Sequence, residues 1–412
     1  MTNTKNKRKN NLKNKDKAFS YFYCIMIIII VFFAFFHFIG KSEIEQKEKK
    51  EDKYREYEEE YETEEEQKEY FISLWNTSKH GKSNKNGIKL PLTPTGEYNF
   101  TVEWGDGTIE KITRHNESKH TYENPGKYKV NITGIITGWS FDNRGDKNKI
   151  VEIRQWGPLK FGNSGGYFHG AENLKITAED TPCLDGTTSL TNMFARTNIK
   201  RINNISYWDV SNVEKMDSMF SHASQFNDDL NKWNTSNVKD MSFMFFRASS
   251  FNKPLDKWNT SNVETMRAMF DGAFFFNQNI SSWDVSNVKD MGHMFDKSAS
   301  FNQPLNKWNT SKVKDMRGMF STAESFNQDL DKWNTSSVKN MGSMFLDALS
   351  FNGDVTTWDT GNVEDMSFMF SRAPSFNQDL NNWDTGNVER CSGFNTINGR
   401  IKDDFKPEFE NC

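Results

Sequence analysis

Between residues 189 and 394 a 25-residue unit recurs with almost no drift, and this period constrains the fold more than any other feature of the chain. Tryptophan stands at Trp208, Trp233, Trp258, Trp283, Trp308, Trp333, Trp358 and Trp383. A Met-Phe pair keeps the same spacing from Met219 and Phe220 to Met369 and Phe370. A Phe-Asn pair keeps it from Phe226 and Asn227 to Phe376 and Asn377. A fixed period of this length marks stacked supersecondary units, each covered only by its neighbours. The spacing predicts a repeat solenoid.

Residues 226–250 serve as the type unit. Leu230, Trp233 and Thr235 follow the strand pattern of leucine-rich repeats, and Trp233 and Thr235 share one strand face. Val238, Met241, Met244, Phe245 and Ala248 fall at helical spacing behind Ser236, a candidate N-cap. The expectation is a leucine-rich-repeat-like solenoid, with a short strand plus a short helix per 25 residues, over residues 201–395. Irregular first coils precede it over 147–200, and a tail over 396–412 closes it. The repeated Trp, Met and Phe read as core, because they recur end to end.

The polar neighbours of the tryptophans are the candidate ligand-binding residues. They are Lys232 and Asn234, Lys257 and Asn259, Lys307 and Asn309, and Lys332 and Asn334, with Asp284, Asp359 and Asp384 in other units. On a solenoid they align as ladders along one face. The competing reading is a solvated face of stacked Asn side chains.

The consensus W-N-T-S-N-V-x-x-M-x-x-M-F-x-x-A-x-x-F-N-x-x-L resembles the repeat of BspA-type leucine-rich-repeat surface proteins. That group includes mycoplasma families built from near-identical 25-residue units. The resemblance covers residues 187–395. It implies a cell-surface, non-enzymatic protein with a part in adhesion or host contact, and names no ligand.

Residues 1–17 form a basic arm, and residues 18–39 carry no formal charge at neutral pH. As a helix the latter span about 33 Å, enough for a bilayer core of about 30 Å. They are expected to be a single-pass transmembrane signal anchor with the lipid bilayer as partner. The N-terminus would be cytoplasmic and the C-terminal bulk extracellular. Residues 40–70 read as a charged helical stalk. Residues 71–146 change to strand-like alternation with turn signals. Within them VEWGDGT at 102–108, HTY at 120–122 and PGKYKV at 125–130 resemble a PKD-like domain. That resemblance implies a small all-β immunoglobulin-like sandwich, with Trp104 and Tyr128 in core or corner positions and Asp106 fixing a turn.

The chain carries no pattern for catalysis. Seven histidines never pair at metal-ligand spacing, and no phosphate loop, dinucleotide fingerprint or nucleophile elbow occurs. No cofactor and no metal site is expected. A net charge of −4 points to no nucleic-acid partner. Four cysteines, Cys24, Cys183, Cys391 and Cys412, are too few for a disulfide framework. A Cys391–Cys412 bridge is conceivable, but free thiols are the favoured reading. The expected function is a membrane-anchored surface module for adhesion or host interaction, with an extracellular protein or glycan as partner. The alternative is a structural or antigenically variable coat protein without a specific ligand.

Overall fold

The computed structural model describes residues 70–395, 401–409 and 412. The expected span at 18–39 and nearly all of the expected stalk lie outside the described residues. Among the described residues no helix is long and apolar enough to cross a membrane.

The amino-terminal strands are β1 (Tyr70–Asn76), β2 (Gly87–Lys89), β3 (Leu92–Glu103), β4 (Ile109–Ile112), β5 (Lys119–Thr121) and β6 (Lys127–Trp139). They are followed by β7 (Ile150–Gln155), β8 (Leu159–Lys160) and β9 (Lys175–Ile176). The expected immunoglobulin-like sandwich does not form. Instead one sheet runs in the order β4-β3-β6-β1-β7-β9, with β8 beside β6, while β2 and β5 pair as a separate ribbon. Strand β1 lies inside the large sheet. Its Phe71, Ser73 and Trp75 are buried, and it is paired on both sides, antiparallel to β6 and to β7. Parallel pairing of β7 with β9 then leads the sheet into the repeats.

Local expectations in this region are met at particular residues. Trp104 is fully buried, and Tyr122 donates its hydroxyl to the Trp104 carbonyl at 2.9 Å. Asp106 accepts the Thr108 N–H at 3.0 Å, closing the turn that Gly105 and Gly107 make possible with φ of 84° and 91°. His120 stacks on Trp104 with ring centroids 4.7 Å apart and meets Asp106 at 2.8 Å. Buried Lys149 donates to the carbonyls of Ser83, Asn84 and Gly87 at 3.0, 2.7 and 2.7 Å, which locks the 83–87 loop.

The repeats depart from the expected strand-plus-helix solenoid. Among the described residues they hold no α-helix, and their inter-coil pairing is reduced to single parallel bridges. These run Ser189–Lys215–Asp240–Thr265–Asp290–Asp315–Asn340–Asp365–Arg390. In the type unit, Met244, Phe246 and Ala248 donate their N–H groups three residues back, to Met241, Phe243 and Phe245. The alternate residues Met241, Phe243, Phe245 and Arg247 donate to Thr265, Arg267, Met269 and Asp271 of the next coil. An α-helix would send every donor four residues back. Phe243 and Arg247 also adopt φ of 57° and 55°, the left-handed region that ends a right-handed helix. A turn-by-turn coil places the apolar side chains inward at the same spacing, so the periodicity imitates a helix. The expected strand at Leu230, Trp233 and Thr235 is a turn as well, closed by the Trp233 N–H on the Leu230 carbonyl at 3.1 Å.

The coils bury stacked aromatic rings beside Val, Met, Leu and Ala. Trp258 and Trp283 stack at 6.3 Å and 3°, Phe245 and Phe270 at 5.6 Å and 5°, and Phe245 lies 3.9 Å from Phe251 within its own coil. Each interior indole N–H reaches back to a carbonyl of the preceding coil, as Trp283 does to Leu255 at 2.9 Å. At the far end Phe394 sits edge-on to Phe370, and the tail supplies a last layer. Ile401 is buried there, the Leu380 N–H donates to Phe405 at 2.9 Å, and Cys391 is joined to Cys412. The free-thiol reading of that pair is thus corrected; Cys183 is a free cysteine. The tail thus closes the last coil as expected, while the pairing of its cysteine was not legible in the spacing.

Candidate ligand-facing surface of the repeats

All of the candidate residues lie on the outside. Lys232, Asn234, Lys257, Asn259, Asp284, Lys307, Asn309, Lys332, Asn334, Asp359 and Asp384 are exposed, each beside a buried tryptophan. Their roles divide by chemistry. The Asn and Asp side chains build turns: Asn234 and Asn259 accept the N–H two residues on, from Ser236 at 3.2 Å and Ser261 at 3.1 Å. Asp284, Asn309, Asn334, Asp359 and Asp384 do the same for Ser286, Ser311, Ser336, Gly361 and Gly386. An Asx side chain that satisfies its own backbone in this way has a structural use. The carbonyls of Asn259, Asp284, Asn334, Asp359 and Asp384 accept threonine hydroxyls from the preceding coil, as Asn259 does from Thr235 at 2.9 Å.

The lysines are different. Lys232 lies 4.4 Å above the Tyr207 ring, while among the described residues Lys257, Lys307 and Lys332 form no ion pair. Their column is interrupted by Ser282 and Thr357, whose hydroxyls turn back to the carbonyls of Asp256 and Asp331.

Six positions past each tryptophan the structure reveals a second column that the sequence reading missed. Lys239 meets Glu214 at 2.8 Å, Lys289 meets Glu264 at 2.6 Å and Lys339 meets Glu364 at 2.6 Å, each across adjacent coils. The hydrogen bond and charge of Lys289 hold Glu264 below the ordinary carboxylate range. The change of sign at this register position was a readable signal. Ion pairs this exposed contribute little individually, but they favour one stacking register over another.

A third set lies on the edge formed by positions 10, 13, 14, 16 and 17 past the tryptophan. It holds Asp271 and Asp296, which face His293 and Lys297. Asp296 is 3.3 Å from His293 and 3.0 Å from Lys297. Burial and the charge of Asp296 push Asp271 up to about 6. Asp296 is also raised by burial, but hydrogen bonds from His293 and Lys297 outweigh this and leave it below its usual value.

Among the described residues no group of three or more His, Cys, Asp or Glu is arranged to hold a metal ion. A cleft of the amino-terminal region is lined in part by Asp146, whose carboxylate is already taken by the N–H groups of Ser83 and Lys89 at 2.8 Å each.

A family model described as "Mycoplasma protein of unknown function, DUF285" matches residues 188–308 and 289–404, together just over half of the chain. No curated protein and no solved structure gives a significant match.

Proposed function

We propose, from the premise that this chain belongs to that Mycoplasma family of unknown function, that it is a non-enzymatic binding module acting outside the cell. In this reading the stacked coils offer a regular face to an extracellular glycan or protein, in the manner of the BspA-type surface proteins its repeats resemble. The observation that carries the proposal is the column of Lys232, Lys257, Lys307 and Lys332. All four are exposed at one register position, while the Asn and Asp residues beside them are engaged in turns. The Cys391–Cys412 bridge supports an oxidising compartment.

One exposed lysine contributes on the order of 1 kcal/mol or less with an anionic partner. A sulfated polymer engaging several at once gains by avidity. Changing all four lysines to serine should leave the thermal midpoint of the protein in place, since none belongs to the buried set. It should weaken salt-sensitive binding to intact host cells or sulfated glycan by roughly tenfold or more. Binding at the original strength and salt dependence would favour the second reading, a coat protein. The near-uniformity of this face from coil to coil speaks for that reading.

A further inference from the structure

The edge at positions 10, 13, 14, 16 and 17 past each tryptophan is where the coils differ from one another. Successive units place Ser218, Phe243, Ala268, His293, Gly318, Ser343 and Phe368 at the first of these, all with positive φ between 50° and 59°. The position four residues later is left-handed as well, and carries His222, Arg247, Gly272, Lys297, Thr322, Asp347 and Arg372. Glycine is the residue such backbone favours, and other residues cost about 1–2 kcal/mol there. Only Gly272 and Gly318 meet that preference, so most of these side chains are not explained by the local backbone. Apart from Ala268, which is buried, the non-glycine residues of the two series are half-buried or exposed, so the core does not explain them either. Non-glycine residues held in this region collect at functional sites.

One stretch of the edge has the composition of a contact surface. Phe274 and Phe275 are 48% and 63% exposed. In the coil before them Phe243 and Phe246 lie 5.7 Å apart, the Arg247 guanidinium sits 5.1 Å over the Phe246 ring, and His222 packs against Phe246 at 5.1 Å. Gly272 leaves Arg247 its room, since a Cβ there would meet Arg247 Cγ at 3.1 Å. Arg196, His222 and Arg247 follow one another on successive coils, linked by backbone bonds from Arg196 to Ser221 and from His222 to Phe246. Burial, and then the charges of Arg196 and Arg247, hold His222 below its ordinary pKa. Farther along, Lys297 is paired with Asp296, and Arg372 with Asp347. Among the described residues Arg196 and Arg247 form no ion pair, while the charge of Arg247 acts to lower the neighbouring Asp271 carboxyl against the larger effect of its burial. Exposed aromatics beside an arginine are the composition of interface hot spots.

We infer that this edge, centred on Phe246, Arg247 and Phe275, determines partner specificity and takes an acidic polypeptide segment bearing an apolar side chain. The carboxylates meet Arg196 and Arg247, and the apolar group lies on Phe246, Phe274 and Phe275. The two arginines, which form no ion pair among the described residues, select this occupant over a basic one. The inference rests on the reading that the chain binds an extracellular partner, and refines it by placing specificity on a face other than the lysine column.

The test is selection of a random linear peptide library on the full chain, with Arg247→Ser, Phe275→Ser and the quadruple lysine-to-serine variant in parallel. Enriched peptides should combine Asp or Glu with Trp, Phe or Leu. Their affinity should fall at least tenfold in either edge variant, with thermal midpoints unchanged, and should stay the same in the lysine variant. Peptides without that bias, equal affinity in the edge variants, or no enrichment would each overturn the inference. So would light scattering that shows a dimer dispersed by Phe275→Ser, which would make a second copy the occupant. Host-cell binding separates the two readings. If it is lost only in the lysine variant, the binding function stands and the edge inference falls. If the unaltered chain binds neither cells nor peptides, both fall.

Discussion

Replacing Trp283 by alanine should remove about 3–5 kcal/mol of stability, the range for emptying a large aromatic site. Trp283 is only 3% exposed, stacks on Trp258, faces Phe270 at 6.2 Å and donates to the Leu255 carbonyl. Alanine therefore opens a cavity between coils and removes one of the two donors, with the Trp258 N–H, on the Leu255 carbonyl. Trp383→Ala should cost less, about 2–3 kcal/mol, because only the tail lies beyond that coil. Its indole bond to Val355 is also longer, at 3.3 Å. Urea unfolding of the two variants followed by circular dichroism measures the difference. Equal losses would contradict a stack in which each coil depends on its immediate neighbours.

Opening the Cys391–Cys412 bridge should loosen the closing layer. The two cysteines are 21 residues apart, a loop for which chain-entropy arguments give a stabilisation of about 3 kcal/mol. Without it the tail is held by Ile401, by Phe409 against Phe394 at 5.1 Å and by a few backbone bonds. In Cys412→Ser, trypsin should cut at Lys402 and Lys406 well before it cuts inside the repeats. In the unaltered folded protein Cys183 should alkylate, while Cys391 and Cys412 should resist until reduced. Rapid alkylation of all three without reductant would refute the bridge and remove a support for an extracellular location.

Much of the core was legible in the sequence because side-chain direction follows spacing whatever the backbone does. Trp233, Val238, Met241, Met244, Phe245, Ala248 and Phe251 are all buried, as their period required. The conformation that delivers them inward was not legible. Hydrogen bonds to a coil 25 residues away leave no local mark, and left-handed Phe243 and Arg247 lack the glycine that would announce them. The amino-terminal sheet shows the same split. The strand-like alternation of residues 71–146 and the Asp106 turn were readable, but the pairing of β1 with β7 was not, since it joins partners such as Trp75 and Ile150, or Ile72 and Gln155, that lie far apart in sequence. On the surface, the lysine column followed from register alone. The variable edge did not, because attention to what repeats passes over what does not.

The most direct test of the stacked-coil account is excision of one whole unit, residues 284–308, compared with deletion of about half a unit, residues 284–295. The first deletion joins Trp283 to Asn309 and keeps every later residue in register. The coils on either side then meet through the same Trp, Met-Phe and backbone contacts that each makes now. The account predicts a folded protein with an unchanged circular dichroism spectrum per residue and a cooperative melt, whereas the half-unit deletion should collapse the array beyond the cut. Equal disruption by both deletions would contradict it.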